Sequence, residues 1–500
     1  MNRKRLISIV LICVLFLTLT ACAADSSTNM STKETNETEK TAETTAASEF
    51  KPIAGLNYDG YEFRILDYDG SIQGWYAGMI NEVAPPEENG DPINDSIYRR
   101  NIEVEELYNI KISIVPVADD SPAIVTSFFT KAILADEDLF DAVFLSGSAI
   151  NGALNSKNMA YNLLTIPSLD LERSWWDQNS VKAMSIGNYL SAVIGDHNFY
   201  SAVAPEAIYV NKKLMKDYSI ENLYQVVKDG KWTWDVMYDN MKKVAKDLNG
   251  DGIFNQEDQL GLECQSTRLY PAVNNSGEYI TPKNKDDIPV LTKNLERISN
   301  IVDKVVPILR DTTTTVTSEN IKGTFKNVYF DFIMPKFANN EILFHIDQLL
   351  FTFELRNMEA DFAILPYPKF EESQSSYYST ISYWWSRFTV LPITCNDTER
   401  AGNILNAMGY YSQKHIMPAY YDISITNKLV RDEDSLDMIN IILSNRIHDL
   451  ANLYDWGGIR TLFGSIAVSG KANTFMSEFA KIETKVTAGI EKTLNQLMGE

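Results

Sequence analysis

Apolar and polar residues alternate over Tyr61, Phe63 and Ile65, the period of a strand with one covered face. Asp95 then stands as the N-cap of a helix over 96–108, and Ile112 and Ile114 alternate as a second strand. A helical stretch over 127–134 leads to a short apolar strand, 141–145, which runs into Ser146-Gly147-Ser148. Strand, helix, strand, helix, strand is the order of a parallel sheet flanked by helices. Ligands of such sheets meet the loops at the carboxyl ends of the strands, so the pattern points to 68–75 and 145–148 as borders of a site.

The middle of the chain is dense in aromatics. Trp175-Trp176-Asp177 precedes a strand-like stretch, 189–194, that ends in Gly195-Asp196-His197-Asn198. After Gly230, Thr233 caps a helix whose Trp234, Met237, Met241, Val244 and Ala245 recur at helical spacing and are read as core. Leu295, Ile298, Ile301, Val302 and Val305 form the face of a further helix. The strand grammar then returns: 342–346 is apolar and ends at Asp347, 362–365 is apolar and ends at Pro366-Tyr367-Pro368, and a strand passes through Val390 after Tyr383-Trp384-Trp385. Asp397 caps a helix with Ala401, Ile404, Leu405 and Met408 on one stripe, and a long helix from Phe475 to Leu497 closes the chain. No solenoid-type repeat is present.

The N-terminus follows another pattern. Arg3, Lys4 and Arg5 precede an apolar run, 6–19, shorter than the roughly 20 residues of a membrane span and of the length used by export signals. It ends in Leu19-Thr20-Ala21-Cys22, which resembles the lipobox of bacterial lipoproteins; that resemblance implies cleavage after Ala21 and diacylglycerol on the Cys22 sulfur. An ordinary secretory signal with an incidental cysteine is the alternative. From 22 to about 55 the chain is rich in Ser, Thr, Glu and Asn with no aliphatic cluster, so it reads as a disordered tether.

Five hundred residues exceed one compact core, so at least two globular units are expected. The formal charge is −22, and removal of Arg3, Lys4 and Arg5 takes it to −25, which disfavours binding to nucleic acid or to an anionic lipid surface. Membrane attachment then falls to the lipid. Cys264 and Cys395 fit one disulfide or two buried thiols equally well. There is no GxSxG, HExxH, P-loop or strand-linked GxGxxG, and His197, His345, His415 and His448 are scattered without metal-ligand spacing.

One stretch carries a sharp chemical signature. Residues 247–258, DLNGDGIFNQED, follow the EF-hand loop: Asp247, Asn249 and Asp251 offer oxygens at positions 1, 3 and 5, Gly252 allows the turn at position 6, Ile253 offers its carbonyl and Asn255 stands at position 9. Asp258 replaces the usual Glu at position 12, as in dockerin-type loops, which this stretch resembles. A structural calcium ion is expected there. An Asp/Asn/Gly-rich turn that binds nothing is the alternative.

Taken in order, these pieces resemble the extracellular solute-binding lipoproteins of bacterial ABC importers, in the carbohydrate-type family 1. The similarity covers about 56–500 and rests on the lipobox, on Ile208 to Leu214, which is similar to the family's YNK-x-L segment, on 362–368, on the block from Tyr377 through Trp385 to Pro392, on Pro418-Ala419-Tyr420-Tyr421-Asp422 and on Asp455-Trp456-Gly457. It implies a two-lobed periplasmic-binding-protein-like α/β fold of type II, each lobe a mostly parallel sheet flanked by helices, with ligand in the cleft between. The implied organisation is a signal at 1–21, a tether at 22–55, lobe 1 from 56–165 and 325–388, and lobe 2 from 166–324 and 389–500.

The resemblance further implies a receptor without enzymatic activity. It would work as a monomer, held by the lipid on Cys22 at the extracytoplasmic face of a Gram-positive-type cell membrane, and would pass its solute to an ABC permease. Rings suit the apolar C–H faces of a pyranose, while carboxylates and amides suit its hydroxyls. Trp75, Asp196, Asp347, Tyr383, Trp384, Trp385 and Trp456, each at a strand end or in a loop, are therefore the expected contacts for a mono- or oligosaccharide. A surface glycoside hydrolase and a cell-surface scaffold or adhesin are the competing readings.

Overall fold

The computed structural model describes residues 50–67, 80–117, 122–154, 156–321, 323–426 and 433–499. The expected signal at 1–21, Cys22, most of the tether and Trp75 lie outside the described residues. All described residues belong to one unit, Ser48–Glu500. Among them the strands run in chain order as β1 (Tyr61–Asp67), β2 (Ile110–Pro116), β3 (Ala142–Ser146), β4 (Glu206–Asn211), β5 (Leu260–Cys264), β6 (Thr315–Thr317), β7 (Ile342–Gln348), β8 (Phe362–Leu365), β9 (Ser379–Thr380), β10 (Arg387–Val390) and β11 (Arg446–Ile447).

Two principal sheets result. The first has the order β10-β3-β1-β2, with β1 parallel to β2 and β3, and β10 antiparallel to β3. The second has the order β6-β5-β7-β4-β8, with β5 parallel to β6 and β7, and β4 antiparallel to β7 and β8. β3, β4, β5, β7 and β8 are buried along their whole length, as strands covered by helices on both faces must be.

β7 and β8 lie in the second sheet, although the sequence reading placed 325–388 with the first lobe, while β10 pairs with β3 in the first. An apolar strand shows its period and its burial but not which sheet it joins. Here β4 supplies both of its edges to β7 and β8, and that draws the segment across. The stretch 189–194 forms no ladder; it touches β10 through a single bridge, Val193 to Thr389.

Local chemistry sets the helix ends. The helix Pro92–Tyr108 begins four residues before the expected start at 96, because Asp91 accepts the N–H groups of Ile93 (2.9 Å) and Asn94 (3.2 Å) and Pro92 needs no partner at the first position. Asp95 instead accepts N–H groups of the preceding turn, from Asn89 (2.9 Å) and Gly90 (3.3 Å). Thr233 caps Trp234–Val244 as expected, and Asp397 accepts the Arg400 N–H at the start of Thr398–Thr426. The expected core stripes of Trp234–Val244 and Leu295–Leu309 are buried, apart from Ala245, which follows the first helix, and Leu295 at the start of the second. Cys264 and Cys395 are buried free thiols. No helix among the described residues is long and apolar enough to cross a membrane.

Candidate functional site

Three chain segments pass between the two sheets and run side by side. Pro205 bridges Ile381 in antiparallel sense, and the Ser382 N–H donates to the Ala204 carbonyl at 3.0 Å. On the other side β9 pairs in parallel with β11, continued by the Ile381 N–H donating to the Ile447 carbonyl at 3.1 Å. This ribbon carries only a few ladder bonds. It borders a cavity of about 1100 Å³, which Thr380, Ile381 and Ser382 help to line.

The walls of the cavity come from strand ends. On the first-sheet side Ser148 follows β3, and Tyr383, Trp384 and Trp385 precede β10. These two loops are pinned together, since the Ser146 hydroxyl donates to the Trp384 carbonyl at 3.0 Å. A Cβ at Gly147 would meet Ser386 Oγ and the Tyr383 carbonyl at 2.7 Å each, so only glycine permits this approach. Trp384 is 49% exposed, unusual for so large a ring. On the second-sheet side stand Glu206 at the start of β4, Gln348 at the end of β7, and Gln265, Arg268 and Tyr270 after β5. Tyr329, Lys326, Asn452, Asp455 and Arg460 complete the lining.

A buried ionic chain lies behind the second-sheet wall. Arg268 donates from Nη1 to Glu206 Oε1 at 2.5 Å and from Nη2 to Asp347 Oδ1 at 3.0 Å. His345 stands between Asp347 Oδ2, 3.3 Å from its Nε2, and Glu263 Oε2, 2.6 Å from its Nδ1. Burial alone would lower the His345 pKa, but the hydrogen bond to Asp347 and the Glu263 carboxylate outweigh it and hold it at about 9. Burial raises the Asp347 carboxyl less than His345 and Arg268 lower it, so it stays below its usual value. Glu206 is moved the other way, by desolvation.

The residues singled out from sequence separate accordingly. Tyr383, Trp384 and Trp385 line the cavity. Asp347 is not on its wall; it is 1% exposed and braces the wall from behind, accepting from Arg268 and from the Gln348 N–H at 2.9 Å. Trp456 is also away from the wall: it is buried, stacks on Tyr454 with 5.1 Å between centroids, and donates from Nε1 to Thr493 at 2.9 Å. Asp196 sits beside the helix Thr398–Thr426, accepting from Gln413 Nε2 at 3.2 Å, and burial pushes its pKa up to about 7. Trp175 and Trp176 are packed in the core. Arg268, Glu206, Lys326 and Arg460 were not anticipated. The strand-end rule points to Arg268 once β5 is recognised, but the Gly in Leu260-Gly-Leu-Glu-Cys264 hides that strand.

The loop 247–258 has the turn geometry that its sequence requires. Gly250 and Gly252 have φ of 75° and 77°, and backbone bonds between Lys246 and Gln259 (2.9 and 3.0 Å) close it. Asp247 accepts the N–H groups of Gly250 and Gly252, and Asp258, fully buried, accepts those of Leu248 and Asn255. No three His, Cys, Asp or Glu side chains among the described residues are grouped to hold a metal; the loop carboxylates turn to their own backbone.

No protein-family model matches the chain, and no curated protein matches it in sequence. In three dimensions it is similar to the apo form of RafE from Streptococcus pneumoniae, at TM-score 0.54 and 13% identity over 86% of this chain and 98% of that one. It is similar to a cyclo/maltodextrin-binding protein complexed with maltotetraose, at 0.54 and 12% over 89% and 98%. It is similar also to an ABC substrate-binding protein from Listeria monocytogenes in complex with cycloalternan, at 0.52 and 11% over 88% and 100%. Identity this low speaks to fold alone. The chain has the two-lobed α/β fold of these proteins, with its cavity at the ribbon between the sheets.

Proposed function

We propose that this chain is an extracytoplasmic solute receptor that captures a mono- or oligosaccharide in the cavity between its sheets and passes it to the permease of an ABC importer. One observation carries the reading: a cavity of about 1100 Å³ that presents a half-exposed Trp384 beside Tyr383 and Trp385, with Gln265, Gln348 and Asn452 as amides around it. An apolar ring face suits the C–H face of a pyranose, and amides both donate to and accept from its hydroxyls. That similar folds hold maltotetraose and cycloalternan supports the same ligand class. Bending at residues 204–206, 379–382 and 446–447 would close the lobes on the solute.

The remaining expectations belong to this proposal. The lipid on Cys22 would hold the receptor at the membrane, it would act as a monomer, and calcium would brace the loop 247–258. A cation there requires the Asp247, Asp251 and Asp258 side chains to leave their backbone partners. Capture without turnover is favoured because the carboxylates on the described cavity wall, Glu206 and Asp455, are each tied to an arginine. The hydrolase reading draws on Glu206, a cavity carboxyl with a raised pKa.

A thermal-shift screen against mono- and oligosaccharides, amino acids and short peptides, with the mixtures analysed afterwards, tests the proposal. A solute at 100 times its Kd adds about 2.7 kcal/mol of stability. A shift with a saccharide recovered intact is expected. A shift with cleaved saccharide replaces the receptor with a hydrolase, and no shift with any saccharide removes the reading.

A further inference from the structure

The cavity wall reverses the charge balance of the chain. Acidic residues outnumber basic ones 67 to 45 overall. Among the described residues that line the cavity, four are cationic (Arg268, Lys326, Arg387 and Arg460) and two are acidic (Glu206 and Asp455).

Two of the cations have structural work. Arg268 is held between Glu206 and Asp347. Arg387 is 1% exposed and donates to the carbonyls of Trp384, Trp385 and Ser386 while facing Asp67. The other two are not accounted for in this way. Lys326 is exposed on the cavity wall and has no ion-pair partner among the described residues. Arg460 lies over the Tyr383 ring, 4.2 Å from its centroid, reaches Asp455 only at 3.5 Å, and keeps a buried Nη1 without a hydrogen-bond partner. Arg268, 5% exposed, likewise keeps its buried Nε without a partner.

Those two nitrogens are sealed from the cavity, and what a solute meets is the Lys326 ammonium and the exposed 23% of the Arg460 side chain. Neutral hydroxyls accept weakly, whereas a carboxylate accepts short, charge-assisted bonds of roughly twice the strength. A saccharide carrying a carboxylate meets both demands of this wall, a ring for Trp384 and an anion for the cations. Of the two wall carboxylates, Glu206 is paired closely with Arg268, while Asp455 lies 3.5 Å from Arg460 and shares it with an incoming anion.

We propose, building on the receptor reading above, that the solute is an acidic saccharide, a uronate or uronate-containing oligosaccharide, whose carboxylate is read by Lys326 and Arg460. The attraction acts at short range inside the cavity, against the protein's overall negative field, and salt screens both.

The test compares each acid with its own methyl ester, which keeps ring, linkage and size and removes the charge. Mono- to trisaccharides of galacturonate, glucuronate and mannuronate, their methyl esters, and the corresponding neutral sugars are titrated calorimetrically into the purified full-length chain at low and physiological salt. One acid is expected to bind at least about tenfold more tightly than its ester, charge-assisted bonds being the difference. Lys326→Ala, at an exposed position, is expected to weaken that acid by roughly two- to fivefold, the range of an exposed ion pair, to leave its ester unchanged, and to be rescued by Lys326→Arg. An ester or neutral sugar that binds as tightly as its acid overturns this inference and leaves the receptor intact. Failure of every acid, ester and neutral sugar overturns both.

Discussion

Asp347 Oδ1 accepts from Arg268 Nη2 at 3.0 Å, and both residues are almost wholly buried while only the arginine reaches the cavity. A strand-end carboxylate that looks like a ligand contact in the sequence is the brace of one. Asp347→Ala leaves Arg268 and His345 each short of a carboxylate. Breaking a buried pair by removing one partner costs about 3–5 kcal/mol, so denaturant unfolding should show a loss of that order. Affinity for the solute should fall with it, because Arg268 is then held by Glu206 alone. A residue that only touched ligand would lower affinity alone.

Trp384 and Trp456 make a matched pair for mutation. Trp384→Ala removes a half-exposed ring from the cavity, so affinity is expected to fall while the melting temperature stays close to that of the parent. Trp456→Ala removes a ring that is 4% exposed and hydrogen-bonded to Thr493, and truncation of such a residue costs about 3–5 kcal/mol. Its solute affinity, measured well below its melting temperature, should be preserved. Reversed effects would move the site away from Trp384.

Stability should decline on the alkaline side in a way traceable to His345. Its pKa is 6.5 in a free chain and about 9 here, so the folded state binds a proton that the unfolded state has begun to lose. The imidazolium's contribution is fully present below about pH 6.5 and is lost as pH rises through about 9. Denaturation midpoints between pH 6.5 and 9.5 should therefore fall more steeply for the parent than for His345→Gln. Parallel curves would show that His345 is neutral in the fold.

Calcium should raise the melting temperature relative to a chelator, with Asp247→Ala removing the difference. The loop already has the required turns at Gly250 and Gly252, so the cation would need to reorganise only side chains. Equal melting in calcium and chelator would leave a turn held by its own Asx hydrogen bonds.

Much of the fold was legible because burial writes itself as period. The stripes of Trp234–Val244 and Leu295–Leu309, the caps Thr233 and Asp397, and the strand Phe362–Leu365 all stand where the sequence places them, with Ala245 falling just beyond its helix. Sheet membership was not legible, since β7 and β8 look alike whichever sheet they join. The site was half legible. The block 383–385 stood out as aromatics before a strand, but aromatics also fill cores, and nothing local distinguishes Trp384 from Trp456. Arg268 and Arg460 were missed because a cation's role depends on which carboxylates the fold brings to it: Glu206 and Asp347 lie 62 and 79 positions away from Arg268.

The most direct measurement is a crystal structure of the chain with the saccharide that gives the largest thermal shift. An intact sugar is expected within the cavity bounded by residues 380–387, one ring against Trp384 and polar groups toward Arg268, Gln348 and Arg460, with the lobes drawn together about the crossing ribbon. A sugar bound elsewhere on the surface, or two products lying beside Glu206, would contradict it.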